Sequence, residues 1–108
     1  MKEIKAFIHR NRIVDVVHAL RNNDFCARPC NLSMVDVAGS MEAMDNREKN
    51  YSIELGEGMI TEVKLELICE DERVEKAIAL IRENAKTGQK LAGWIYISDI
   101  ADALPIEV

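Results

Sequence analysis

Thr61-Glu62-Val63-Lys64-Leu65-Glu66-Leu67-Ile68-Cys69-Glu70 is the stretch on which the fold turns. Val63, Leu65, Leu67 and Cys69 fall on one side of an extended chain and Glu62, Lys64, Glu66 and Ile68 on the other, the two-residue period of a strand with one buried face. Directly after it, Asp71 offers a carboxylate at a helix start. Val74, Ala77, Ile78, Ile81 and Ala85 then draw an apolar stripe at helical spacing that runs to Lys86. The acidic run Glu70-Asp71-Glu72 meets the positive end of that helix dipole, which accounts for it without a catalytic carboxylate pair. Thr87-Gly88 stops the helix, with glycine as a left-handed cap.

Working outward, the same strand-then-helix order recurs upstream. Residues 3–9 alternate, with Ile4, Ala6 and Ile8 opposed to Lys5, Phe7 and His9. Asn11 can cap a helix in which Ile13, Val16, Val17 and Leu20 form one stripe, and Asn22-Asn23-Asp24 ends it. A second strand is expected over residues 31–38, closed by Gly39, and a last one in Trp94-Ile95-Tyr96-Ile97-Ser98, after which Asp99 can cap one turn before Pro105. Residues 40–60 show neither period and contain Gly56 and Gly58, so they read as a long working loop.

The order βαββαβ predicts an α+β, ferredoxin-like sandwich: a four-stranded antiparallel sheet with two helices on one face and the long loop between strands two and three. The helices leave one face open, carrying Phe7, His9, Ile68 and one parity of the last strand. Apolar groups gathered there call for cover by another copy of the chain.

Composition agrees with a folded single domain over residues 1–108: with 48% hydrophobic and 31% charged residues, burial can offset chain entropy. A net charge of −5 with dispersed Lys and Arg excludes a basic stripe for nucleic acid. No apolar run is long enough to span a bilayer or to serve as a signal peptide, so the expected place is the cytoplasm and the protein is not membrane-embedded. Three cysteines, Cys26, Cys30 and Cys69, make an odd count that suits reduced thiols. Cys26 and Cys30 can clamp copper or zinc, with Met41, Met44 or a histidine as further soft donors, but two thiolates are half a tetrahedral site and small buried cysteines are common in cores. His18 lies off its helix's apolar stripe and reads as solvated, and neither it nor His9 has a partner at triad-like spacing, so no catalytic residues are assigned.

Met1-Lys2-Glu3-Ile4-Lys5-Ala6-Phe7-Ile8, the helix ending Val17-His18-Ala19-Leu20, and Val63-Lys64-Leu65-Glu66-Leu67 resemble the PII signal-transduction (nitrogen regulatory) proteins. Residues 85–98, from Ala85-Lys86-Thr87-Gly88 through the glycine-containing loop to Ser98, resemble that family more closely still. The resemblance covers nearly the whole chain. It implies a homotrimer that binds an adenine nucleotide such as ADP or AMP between subunits and regulates a partner protein, a membrane transporter or a metabolic enzyme, through the long loop. Ser33, Gly39, Thr87, Gly88 and Gly93 match family positions near the cleft, and Lys90 adds a charge nearby. Met41, Met44 and Tyr51 fall in the partner loop, Tyr51 a few positions early for the tyrosine that some members carry as a modification site.

Departures from the family pattern qualify this. Leu91-Ala92-Gly93-Trp94 stands where the family has Gly-Asp-Gly-Lys, and its two C-terminal arginines match Pro105 and Glu107. A triphosphate would lack cationic partners, which leaves a mono- or diphosphate. The family's loop glutamine matches Ala43, and the lysine that meets 2-oxoglutarate matches Glu62, which would repel a dicarboxylate. Trp94 can stack on a base or pack against a neighbouring subunit. The alternative function is a copper- or zinc-binding trimer, linked to metal tolerance, of the superfamily that also includes the similarly built CutA-type proteins.

Overall fold

In the computed structural model, the two most clearly alternating segments are hydrogen-bonded neighbours. The structure describes residues 1–25, 31–44, 49–52 and 57–108. Chain order is β1 (Lys2–His9), α1 (Ile13–Asn22), β2 (Leu32–Gly39), β3 (Lys49–Ser52), β4 (Glu57–Cys69), α2 (Val74–Ala85) and β5 (Gly93–Asp99). The sheet runs β2-β4-β1-β5, all pairs antiparallel, with β3 paired to the early part of β4. This is the ferredoxin-like α+β fold with one short strand added.

Register explains why the fold closes. Ile4 lies opposite Leu67, Ala6 opposite Leu65 and Ile8 opposite Val63, so the apolar parity of both central strands shares one face. Against that face α1 and α2 set Val16, Leu20, Ala77 and Ile81, all fully buried in one cluster with Ile4, Ile8, Leu65 and Leu67. Each Ile or Leu buried this way contributes on the order of 2 kcal/mol. A slip of one residue between β1 and β4 would turn the whole set to the other side. Arg12 ties the helices at one end, donating from Nε to the Asn84 carbonyl at 3.1 Å. Arg73 ties the other end, donating to the carbonyls of Asn23 and Asp24 while its guanidinium lies 4.0 Å over the Phe25 ring.

The open face carries Phe7 and His9 from β1, as the alternation predicts, and β5 contributes Trp94 and Tyr96, since Trp94 lies opposite Phe7 and Tyr96 opposite Lys5. His9 differs from the others. It is only 1% exposed within one chain, and Ile68 is half-buried, so this face is partly closed already.

Several local expectations are corrected. Residues 40–60 are not one loop: β3 pairs with β4 from Lys49 opposite Ile60 to Ser52 opposite Glu57, and β4 begins four residues before the alternation does. Backbone pairing needs no side-chain period, which is why Gly58 could be read as a loop residue and yet lies in a strand. Neither helix takes a side-chain cap, because each is entered through a turn of 3-10 helix, Arg10–Arg12 or Asp71–Arg73. The Asn11 amide donates instead to Met44 Sδ at 3.0 Å. Asp71 pairs with the Met1 ammonium at 2.8 Å, which holds its carboxyl below the ordinary value. That contact therefore contributes above the unfolded carboxyl's pKa and is lost as pH falls through the lower folded value. Asp99 ends β5 and pairs with Lys2, whose pKa is raised by that hydrogen bond, rather than capping a turn. α2 stops because Lys86 turns extended (ψ 137°), and the left-handed Gly88 (φ +87°) comes two residues later.

A left-handed cap does occur, at the end of α1. Asp24 has φ +65°, its N–H donates to the Arg21 carbonyl, and the Phe25 N–H donates to the Leu20 carbonyl at 2.9 Å. These are the two bonds of a Schellman motif, and Phe25 joins Leu20 in the core as its hydrophobic contact. We expect Asp24→Val to lower unfolding stability by about 1–2 kcal/mol and Asp24→Gly not to lower it, as read by denaturant titration. Equal losses in both variants would show that the backbone conformation is not what matters there.

Candidate functional site

The site lies where the open face meets the loops at one end of the sheet. Two cavities adjoin there, sharing Phe7, Leu91, Gly93 and Trp94 as a common wall. Gly93 makes this wall possible: a Cβ on it would fall 2.2 Å from the Phe7 carbonyl oxygen, and its φ of +154° suits only glycine.

The larger cavity, of about 660 Å³, lies between the end of α2 and the loop that leads into β5. Of the residues named as effector candidates, Gly88, Lys90 and Gly93 line it, and so do Arg82 and Lys86, which were not among them. The site thus has three cationic side chains where one was expected. They were missed because Arg82 lies on the exposed side of α2 and Lys86 just past its end, and only the fold shows that both border the loop. Lys86 also meets Glu83 at 3.0 Å, an exposed pair one helical turn apart.

Thr87 organises the loop. Its hydroxyl donates to Gln89 Oε1 at 2.7 Å and accepts the Gln89 N–H at 3.2 Å. With its oxygen so held, Gln89 points its amide nitrogen at the carbonyls of Glu42 and Ala43, at 3.1 and 3.3 Å. Gln89 therefore joins the cationic loop to the arm that continues from β2, a role that no local sequence signal announces.

The smaller cavity, of about 490 Å³, lies on the other side of Trp94 under residues 39–42. Glu62 reaches into this arm from β4, and its Oε2 accepts the Met41 N–H at 2.9 Å while the residue is only 3% exposed. A Cβ on Gly39 would lie 1.7 Å from that oxygen, so glycine is what lets the carboxylate seat. Glu62 thus holds the arm down as well as setting the charge there.

The remaining candidates are dispersed. Ser33 is exposed on β2 opposite Glu66, six residues from Gly39 and so about 20 Å away along the strand, and one chain does not bring it to the cleft. Met41 is half-buried in the arm, Met44 is held by Asn11, and Tyr51 lies opposite Gly58 in β3. Pro105 and Glu107 are in the exposed tail. His18 is exposed, as expected. Cys26 and Cys30 lie outside the described residues. Among the described residues, no group of three or more His, Cys, Asp or Glu could hold a metal, and Cys69 is half-buried with its thiol pKa raised by burial.

The family model described as Nitrogen regulatory protein P-II matches residues 1–107. The chain belongs to the P-II family. A Nitrogen regulatory protein P-II 1 from Methanothermobacter thermautotrophicus is 29% identical over 106 residues, 98% of this chain and 89% of the relative. Nitrogen regulatory proteins P-II from Porphyra purpurea and Bradyrhizobium diazoefficiens are each 28% identical over 98% of this chain and 91% of theirs. Among the described residues, this P-II chain has no helix long and apolar enough to cross a membrane.

The contact between Gly39 and Glu62 gives a direct test. In Gly39→Ala the new methyl must displace the carboxylate, leaving the Met41 N–H without its acceptor, at a cost of about 1–3 kcal/mol. Adding Glu62→Ala to Gly39→Ala should cost less than the sum of the two single changes, and Met41 amide exchange should accelerate in both single variants. Additive losses would show that the two residues do not act through one contact.

Proposed function

We propose that this P-II chain is a signalling regulator. As a cytoplasmic homotrimer, it binds ADP or AMP at the clefts between subunits and controls a transporter or metabolic enzyme through residues 40–60. The observation that carries this reading is the Gln89 bridge: the loop beside Arg82, Lys86 and Lys90 is hydrogen-bonded to the arm that leads into the partner segment. Phosphate drawn to those cations bears on residues 87–93, and the bonds to Glu42 and Ala43 pass the change on. An effector that contacts two arrangements of the arm unequally shifts their populations.

Charge and geometry support a short phosphate chain. Three cations on flexible or helical positions offset one or two phosphates, and the glycines at 88 and 93 let backbone come close to them. The Glu62 carboxylate beside the arm disfavours 2-oxoglutarate. Ser33, remote within one chain, joins the cleft only if a neighbouring subunit brings it. The reading is one of binding and regulation rather than catalysis, since the groups gathered here hold charge and position loops.

Calorimetry with ADP, AMP and ATP tests the proposal. We expect ADP or AMP to bind more tightly than ATP, 2-oxoglutarate to give no heat, and Lys90→Ala or Lys86→Ala to weaken the nucleotide about tenfold, as loss of one charge-assisted contact does. Gln89→Ala should leave nucleotide affinity within about threefold and uncouple it from amide exchange at residues 42–43. Silence with every nucleotide would remove the effector, and a stable lone chain in dilute solution would remove the cleft.

A further inference from the structure

The smaller cavity has a chemistry opposite to that of its neighbour. Phe7, Trp94 and Tyr96 line it together with the carboxylates of Glu42 and Glu62. Among the described residues, no lysine, arginine or histidine does so. The Phe7 and Tyr96 rings meet nearly at right angles, 84° with centroids 5.9 Å apart, and Trp94 stacks on Tyr96 at 19° and 6.3 Å. Trp94 and Tyr96 are each 53% exposed within a single chain, which leaves ring surface for a ligand wherever a neighbouring copy does not cover it.

We propose that this cavity binds an organic cation carrying an alkylammonium group. Aromatic rings set at an angle present their electron-rich faces to a cation, and such walls recognise ammonium groups generally. Carboxylates supply the countercharge. Glu62 is only 3% exposed, so its charge is poorly solvated, and its Oε2 accepts the Met41 N–H. An anion here would be repelled by both acids, and a neutral apolar ligand would leave them uncompensated. The two cavities therefore divide by charge, with a cationic wall on one side of Trp94 and an acidic, aromatic one on the other. This assignment rests on Glu42, Glu62 and Tyr96, which the cationic cavity does not use, while Phe7 and Trp94 are common to both.

Trp94 is the sole tryptophan and lines both cavities, so its fluorescence reports binding at either, and the carboxylate variants below assign the signal to this one. The full chain is titrated with putrescine, choline and the uncharged analogue 1,4-butanediol at pH 8, where alkylammonium groups remain charged. We expect saturable quenching with putrescine, weaker quenching with choline, which lacks N–H donors for the carboxylates, and none with the diol. Glu62→Gln keeps an oxygen for the Met41 N–H while removing the charge, and should weaken putrescine at least tenfold with the melting transition retained. Glu42→Gln, on the exposed arm, should weaken it severalfold and serves if the first variant fails to fold. The assignment is overturned if the diol quenches equally, if sodium chloride at matched ionic strength reproduces the change, or if both Gln variants that fold bind putrescine as the parent does.

Discussion

The pairing of β1 with β4 is the constraint from which the rest follows. Because Ile4, Ala6 and Ile8 stand opposite Leu67, Leu65 and Val63, the helices have one apolar surface to cover. The same register sends Phe7, His9 and Glu62 to the other side, where β5 adds Trp94 and Tyr96. Core and site are thus two faces of one ladder. The side chains that give stability and those that give chemistry are neighbours in sequence, alternating along the same two strands.

That arrangement explains what could be read beforehand. Strands and helices whose side chains keep a strict period were legible: residues 3–9, 13–20, 61–70 and 74–85 carry their burial pattern in plain view. Elements held by backbone alone were not. β3 and the first residues of β4 pair without any apolar alternation, and both helix entries are 3-10 turns that need no capping side chain. Asp24 adopts a conformation usually left to glycine, so its cap leaves no glycine to recognise.

The site was legible as a place more than as a set of residues. Gly39, Gly88, Lys90 and Gly93 do gather around the two cavities, and Thr87 organises the loop between them. Arg82 and Lys86 became visible only once α2 was placed beside that loop. Glu62 could be read as a charge that turns away dicarboxylates, whereas its hold on the Met41 backbone depends on a bare glycine across the ladder. Gln89 acts through side-chain reach between two segments 46 and 47 residues apart, which no local pattern encodes.

Among the described residues β4 is the longest element, 13 residues in one unbroken strand and hence about 43 Å of extended chain, comparable with the longest dimension of the molecule, 44 Å. One end of it pairs with β3, its middle supplies Glu62, and the remainder is clamped between β1 and β2 in the core. An extended strand pinned along most of its length behaves as a stiff beam anchored at one end. A push on the β3–β4 pairing is then delivered as a bending moment to the fulcrum near Glu62, so that end of the sheet and a buried carboxylate are mechanically one part.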